Sequence, residues 1–309
     1  MAGVSKLRNS ASPRPDVASA RLMLVGVTLA WGLTWPALKM ALEEIPPFSM
    51  RVGTCVIGGS ALLGLGLLQG RDVRICPGRA RIHIVIAGCL NVGALALLTA
   101  FAQLATSTAR VAVLTYTMPI WAAVFARMAL GERMTAIRAV SLLLCLLGLC
   151  VLLYPLLATT HATGVLLALA TAVSWAAGTV YLKWARIEAE PLALAGWQLM
   201  VALGLSLVGL VLVEGSLHLW PVHPKALIAL VFSGLAGSAI AYLLWFEIVR
   251  RLPATTASLG ILGSPVVGVI GSVLVLGERL SVTDVIGFAL VLTAAACVLL
   301  APTSLVENG

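Results

Sequence analysis

The chain has 309 residues, of which 61% are hydrophobic and only 10% are charged, and its formal net charge is +8. Soluble domains average about 45–50% apolar and about 25% charged residues, so this composition excludes an ordinary soluble protein. It also excludes collagen-like, disordered and disulfide-scaffold chains. The remaining class is a membrane protein that crosses the bilayer several times.

Ten apolar segments follow in chain order, each about long enough for a helix to cross a hydrocarbon core of about 30 Å. Residues 1–20 precede them as a cytoplasmic tail, and the short connections leave no room for a soluble catalytic domain. The sequence therefore predicts an all-α membrane protein with ten transmembrane helices. The predicted spans are 22–42, 47–68, 82–104, 108–130, 137–154, 164–185, 191–213, 225–250, 255–276 and 283–301.

Basic residues indicate how these spans are oriented. If the N-terminus is cytoplasmic, 15 of the 20 Lys and Arg residues lie on cytoplasmic segments. Cytoplasmic loops of membrane proteins collect Lys and Arg, so both termini are predicted to be cytoplasmic, as an even number of spans requires. The positive charge then needs no nucleic-acid partner, because its partner is the lipid bilayer.

Rare residues recur at a nearly constant offset. Single Trp, Lys and Pro residues recur after 144 residues, and a Pro-x₁₁-Gly-Glu-Arg pattern recurs after 146. Because each half contains five spans, residues 21–155 and 160–302 are predicted to form inverted repeats. Such repeats are typical of secondary transporters, which bind substrate near the midplane between the halves. The pairs are Trp31 and Trp175, Lys39 and Lys183, Pro47 and Pro191, and the patterns that begin at Pro119 and Pro265.

The motifs resemble a known family. Trp31 and Pro36 in the first span, Arg51 early in the second, and the patterns from Pro119 and Pro265 are similar to the EamA-type repeat of the drug/metabolite transporter superfamily. The resemblance extends from about residue 21 to 302, and the chain looks most like the YddG-type exporters of aromatic amino acids. It implies ten helices around a central cavity, with the fifth and tenth at the periphery.

Aromatic and polar side chains at mid-span depth are the candidates for binding a substrate. Trp and Tyr usually lie at the bilayer interfaces, so several at mid-depth indicate a cavity for a flat ligand. Each of them could instead serve helix packing, and each polar group could bond a neighbouring helix. The substrate-binding candidates are Trp31, Trp35, Asn91, Tyr116, Trp175, Gln198, Ser238, Tyr242, Trp245 and Ser264.

Charged groups within the spans are a sharper signal, since charge inside the membrane is costly. Glu247 is a candidate proton site or partner for a substrate ammonium, but Arg250 and Arg251 stand at the spacing of an intrahelical ion pair. Lys39 could steer a carboxylate or extend to the lipid headgroups. Arg51 could bind substrate or the carbonyls of a neighbouring helix.

Three prolines fall near the middle of predicted spans: Pro36, Pro119 and Pro265. Proline removes a backbone hydrogen bond and kinks a helix. These residues are therefore candidate hinges, or they simply curve the helices for packing.

The sequence predicts a secondary transporter and not an enzyme, which exports small amphipathic metabolites, foremost aromatic or hydrophobic amino acids, by alternating access. It is expected in a bacterial inner membrane as a monomer or homodimer, with a small-molecule substrate and no cofactor or metal. One alternative is a broad exporter of drugs or toxic compounds, with or without proton coupling. An intramembrane lipid-modifying enzyme is the alternative from another class. The scarcity of buried charge predicts an apolar, aromatic cavity for a neutral or zwitterionic ligand.

Overall fold

The computed structural model describes residues 17–75, 78–105, 108–154, 162–276 and 281–300, and every regular element in these ranges is helical. The all-helical prediction is thus confirmed for this part of the chain. Among the described residues, seven helices are long and apolar enough to cross a membrane, and three shorter apolar helices accompany them. Most of the tail predicted at 1–20 and the second Gly-Glu-Arg lie outside the described residues.

The described part of the first half contains three long uninterrupted helices and two segments that are interrupted midway. The second of these breaks between Thr115 and Met118. The elements are α1 Val17–Leu42, α2 Pro47–Leu68, α3 Arg79–Gly88, a π-helical turn Cys89–Ala94, α4 Leu95–Ala105, α5 Thr108–Thr115, α6 Met118–Ala129 and α7 Ala136–Leu153.

The second half shows the same alternation of continuous and interrupted helices. Its elements are α8 Ala162–Ala185, α9 Pro191–Gly209 with a π-helical turn Leu210–Glu214, α10 Pro224–Phe232, a π-helical turn Ser233–Ile240, α11 Ala241–Arg251, α12 Ala254–Gly260, a 3₁₀ turn Ile261–Gly263, α13 Ser264–Leu276 and α14 Val282–Leu299.

Proline positions explain where several helices begin. Pro47, Pro191 and Pro224 each occupy the first position of their helix, where no backbone N–H is needed and the fixed φ suits a helix. Thr135 begins α7 differently, because its hydroxyl accepts a hydrogen bond from the Arg138 N–H at 3.4 Å. A side-chain oxygen there satisfies one of the free N–H groups of the first turn.

The prolines that the sequence places in mid-helix do not share one environment. Pro36 lies inside the continuous helix α1. Pro119 and Pro265, in contrast, are the second residues of α6 and α13, each of which starts just after an interruption. Each of these prolines thus directly follows a change in helical geometry, and whether Pro119 and Pro265 act as hinges stays a prediction.

The interruptions themselves fall at corresponding places in the two halves. The π-helical turns that begin at Cys89 and Ser233 are 144 residues apart. The break after Thr115 and the 3₁₀ turn at Ile261 are 146 residues apart. These are the offsets at which the sequence repeats.

Close packing of α7 against α14 depends on two glycines. A Cβ added to Gly148 would lie 2.8 Å from the carbonyl oxygen of Gly287, and one added to Gly287 would lie 3.1 Å from that of Gly148. Two small residues let helix backbones approach where larger side chains would hold them apart. This contact fixes the α7–α14 pair.

Gly148→Ala tests the close contact. We expect the free energy of unfolding to fall by about 1–3 kcal/mol, since the added methyl meets backbone that cannot easily move. Gly204→Ala in α9 is the control, because its Cβ would meet nothing within 4 Å, and it should be neutral or gain up to about 1 kcal/mol. Thermal unfolding of both variants in one detergent measures this, and equal stability of the two would contradict the packing argument.

Candidate functional site

A cavity of about 130 Å³ lies between the halves, and mostly aromatic and hydroxyl side chains line it. One water needs about 10–15 Å³ on this scale, so the space suits a ligand of about ten non-hydrogen atoms. It lies toward the end of the bundle where α1 ends and α2 begins. The described lining residues are Trp31, Thr34, Trp35, Leu38, Met50, Arg51, Thr54, Leu95, Thr99, Thr115, Tyr116, Met118, Trp175, Ser233, Gly237, Ser238 and Tyr242.

Seven of the predicted site residues meet in this cavity. They come from four different helices, the break between α5 and α6, and the π-helical turn Ser233–Ile240, so only the folded chain brings them together. The seven are Trp31, Trp35, Arg51, Tyr116, Trp175, Ser238 and Tyr242.

Indole and phenol rings build one wall of the cavity. The Trp31 ring lies edge-on to Tyr242, with ring centroids 5.6 Å apart, and Trp175 lies 4.6 Å from Trp245. Trp245 is fully buried and does not line the cavity, so it supports the wall from behind. Such tilted and edge-on pairs favour a fixed arrangement of aromatic rings.

Two indole N–H groups tie the wall to neighbouring helices. The Trp31 Nε1–H donates to the Gly237 carbonyl at 3.0 Å, in the π-helical turn Ser233–Ile240. The Trp35 Nε1–H donates to the Tyr116 hydroxyl at 3.3 Å, at the break between α5 and α6. Both irregular segments thus hold the rings of α1 in place at the cavity.

The structure places three predicted binding residues away from the cavity. Asn91, Gln198 and Ser264 are fully buried, and the side chains of Asn91 and Gln198 have no hydrogen-bond partner in the described part of the chain. Asn91 packs against α8, because a Cβ on Gly178 would lie 2.7 Å from its backbone nitrogen. These residues lie inside the bundle and do not line the cavity.

Sequence reasoning missed the hydroxyl groups that line the cavity. Thr115 and Ser233 are buried there, and their side-chain oxygens lack a hydrogen-bond partner among the described residues. Thr34 and Thr54 also line it, each three residues after a predicted site residue. Residues three apart lie on the same helix face, so this spacing could have predicted that Thr34 and Thr54 line the cavity.

The three charged candidates differ in their positions relative to the cavity. Arg51 lines the cavity, whereas Lys39 is exposed and Glu247 lies outside it. The Glu247 carboxylate accepts hydrogen bonds from Arg250 Nη2 and Arg251 Nε, both at 2.7 Å. The structure therefore places Glu247 in the intrahelical ion pair that its spacing allows.

Carboxylates close the two ends of the bundle in similar ways. Glu214 accepts hydrogen bonds from the N–H groups of Phe48 and Ser49, at 2.6 and 2.9 Å, at the start of α2. Glu132 accepts from Ala254 and Thr255 N–H, at 2.7 and 3.4 Å, at the start of α12. A carboxylate at a helix N-terminus neutralises the positive end of the helix dipole.

Further polar contacts lie around Glu132, and the one between Arg138 and Thr256 joins the two halves. Arg138 donates from Nε to the Thr256 hydroxyl at 3.2 Å, and its Nη1 donates to the Arg133 carbonyl at 2.9 Å. The Lys183 ammonium donates to the carbonyl of Leu252. This end, which we call the Glu132 end, is defined by Glu132, Arg138, Lys183 and the start of α12.

At the opposite end, an exposed loop contact involves Glu44. Its carboxylate accepts a hydrogen bond from the His223 N–H at 2.8 Å and contacts the His223 ring at 2.9 Å. These bonds lower the pKa of Glu44, the backbone bond contributing most. The loop between α1 and α2 is thereby connected to the start of α10.

The Glu247 ion pair predicts an order of stability among variants. The side chain of Glu247 is 12% exposed, against 24% for Arg251 and 63% for Arg250. We expect Glu247→Gln to lower the free energy of unfolding by about 1–3 kcal/mol, because it leaves two guanidinium groups without their carboxylate. Arg251→Gln should cost less, and Arg250→Gln under about 1 kcal/mol. Thermal unfolding tests the order, and a larger loss for Arg250→Gln would contradict it.

Known proteins resemble this chain in sequence and in fold. The uncharacterized transporter YoaV of Bacillus subtilis is 26% identical over 273 residues, which cover 87% of this chain and 93% of that protein. The inner membrane transporter YedA of Escherichia coli K12 is 26% identical over 275 residues, covering 87% and 88%. A solved crystal structure matches with a TM-score of 0.76 at 25% identity, over 91% of this chain and 96% of that one.

The sequence profile of the EamA-like transporter family matches the chain twice, at residues 18–154 and 162–300. Together the two matches cover most of the 309 residues. The relatives are themselves named as transporters. This chain is a membrane protein that belongs to the EamA-like transporter family of the drug/metabolite transporter superfamily.

Proposed function

We propose that this protein is a secondary transporter that exports small amphipathic metabolites, foremost aromatic or hydrophobic amino acids, by alternating access. The observation that carries the proposal is the aromatic cavity between the halves, whose walls include Trp31, Trp175 and Tyr242. Ring faces contact flat apolar groups, while the hydroxyls orient polar ones. A cavity for about ten non-hydrogen atoms is close in size to the smaller hydrophobic and aromatic amino acids.

The corresponding interruptions support two inverted five-helix repeats. Irregular turns at Cys89 and Ser233, and at Thr115 and Ile261, are separated by the offsets of the sequence repeat. The family profile also matches once in each half. Since five spans reverse the orientation of a repeat, the halves would rock against each other around the cavity.

The distribution of basic residues supports cytoplasmic termini in this arrangement. With that orientation, the Glu132 end faces the cytoplasm and the cavity lies toward the outside. The start of α12 is bonded to Glu132 at this end, so the described conformation would be closed to the cytoplasm. The name of YedA as an inner membrane transporter supports a bacterial inner membrane as the location.

One cavity feature bears on the alternative of an exporter for toxic cations. None of the described lining residues is Asp or Glu, so no carboxylate there could pair with a cationic drug. Buried charges need partners of opposite sign. The lining therefore favours neutral, zwitterionic or acidic solutes over cations.

Uptake into proteoliposomes tests transport directly. We expect saturable uptake of labelled aromatic amino acids by purified protein, blocked by excess unlabelled amino acid and absent from protein-free vesicles. Runs with and without a pH gradient separate facilitated exchange from proton coupling. Absence of flux for every amino acid and every drug of a panel would sink the transporter proposal, and lipid turnover would replace it with the enzyme alternative.

Glu132→Gln tests closure at the Glu132 end. Weaker bonds to Ala254 and Thr255 should favour opening to the cytoplasm, so a cysteine at cavity position Thr99 becomes more reactive from that side. We expect labelling by a membrane-impermeant thiol reagent to rise by up to about tenfold, which corresponds to about 1.4 kcal/mol. The background has the six native cysteines replaced by alanine.

Glu214→Gln is the matched control, since it removes a similar helix cap at the opposite end. It should lower stability without raising labelling from the cytoplasmic side. Equal labelling of both variants would contradict a gate at the Glu132 end.

A further inference from the structure

Arg51 differs from every other residue that lines the cavity. It stands one turn into α2, and it alone among the described lining residues carries a formal charge. Removing a cation from water costs free energy unless a charge or hydrogen-bond acceptor replaces the lost hydration. The partners of its guanidinium therefore indicate its role.

The Arg51 guanidinium has no hydrogen bond or ion pair with any residue that the structure describes. Its electrostatic neighbours are the thiol of Cys55 and the phenol of Tyr242. Arg138 and Arg251, by contrast, donate to a carbonyl and a carboxylate within the bundle. The role in which Arg51 bonds the carbonyls of a neighbouring helix is absent from the described structure.

Two further lining residues carry unsatisfied polar groups. Thr115 and Ser233 line the cavity, and their buried hydroxyls have no partner among the described residues. The 12-residue helix α6 begins at Met118, which also lines the cavity, and the N-terminus of a helix favours negative charge. A ligand that brought an anionic group would pair with Arg51, and its polar atoms could use both hydroxyls.

We propose that Arg51 is the binding residue for a substrate carboxylate and that the cavity selects small organic acids with an apolar or aromatic body. One planar guanidinium matches one carboxylate through two parallel hydrogen bonds. A phosphate group carries more charge and is usually held by several cations, whereas Arg51 is the single cation among the described lining residues. The inference rests on the proposed transport function and specifies its substrate class.

Matched ligands isolate the carboxylate. L-Tryptophan, its amide and tryptamine share one ring system, but only the amino acid carries the acid group, while indole-3-propionate keeps the acid and lacks the ammonium. Phenylpropionate and isovalerate, each with its amide, extend the comparison to smaller bodies. Binding to the purified full-length protein in nanodiscs is measured by the ligand-induced rise in melting temperature and by calorimetry. We expect each bound acid to bind at least about tenfold more tightly than its amide.

Variants of Arg51 identify the residue responsible. Arg51→Gln should abolish the preference for acids, and Arg51→Lys should keep part of it, because an ammonium retains the charge but loses the paired geometry. Lys225→Gln is the control, since Lys225 is exposed and does not line the cavity. It should bind like the unaltered protein.

The melting temperature without ligand separates binding from a structural role. Removing an unpaired, half-buried charge should leave the melting temperature of Arg51→Gln unchanged or raise it, whereas a structural arginine would lower it. The inference is overturned if Arg51→Gln keeps the acid preference, if amides bind as well as acids, or if no acid of the panel binds at millimolar concentration. If proteoliposomes still move a solute, such a result overturns only the role of Arg51 and leaves the proposed transport function intact. Loss of all flux would instead overturn the transport function.

Discussion

The constraint on which this structure depends is that backbone N–H and C=O groups inside a bilayer must find partners within the protein. Continuous α-helices meet it automatically, so each departure from α-helical geometry needs a protected environment. The break after Thr115 and the π-helical turn Ser233–Ile240 border the cavity. There, the irregular backbone offers bonding groups such as the Gly237 carbonyl, which accepts from Trp31. These two irregular segments therefore lie where the surrounding protein can satisfy their backbone groups.

Hydropathy predicted the helical class well, because apolar length is a direct consequence of bilayer thickness. Helix starts were also readable where proline marks them, as at Pro47 and Pro191. The breaks were not readable, since a proline within an apolar run is compatible with a kink and with a new helix. Pro119 and Pro265 each lie directly after such a break.

The site was predictable only in part, for a geometric reason. Residue type shows that Trp31 or Tyr242 is unusual at mid-depth, but whether a side chain meets the cavity depends on helix rotation and on neighbours far away in sequence. Asn91 and Gln198 therefore looked like binding residues and lie inside the bundle instead. Thr115, next to Tyr116, looked unremarkable and lines the cavity.

The arrangement of charged residues leaves the described cavity lining with a positive charge. Glu214 lies near the start of α2, but its carboxylate is engaged by the backbone of Phe48 and Ser49 and by the Ser49 hydroxyl at 2.8 Å. It thereby offsets the dipole of α2 and forms no described bond with Arg51. Glu132 and Glu247 are likewise engaged elsewhere. Because Glu132, Glu214 and Glu247 are all bonded outside the cavity lining, none of them pairs with Arg51. Its positive charge can therefore pair with an anionic ligand in the cavity.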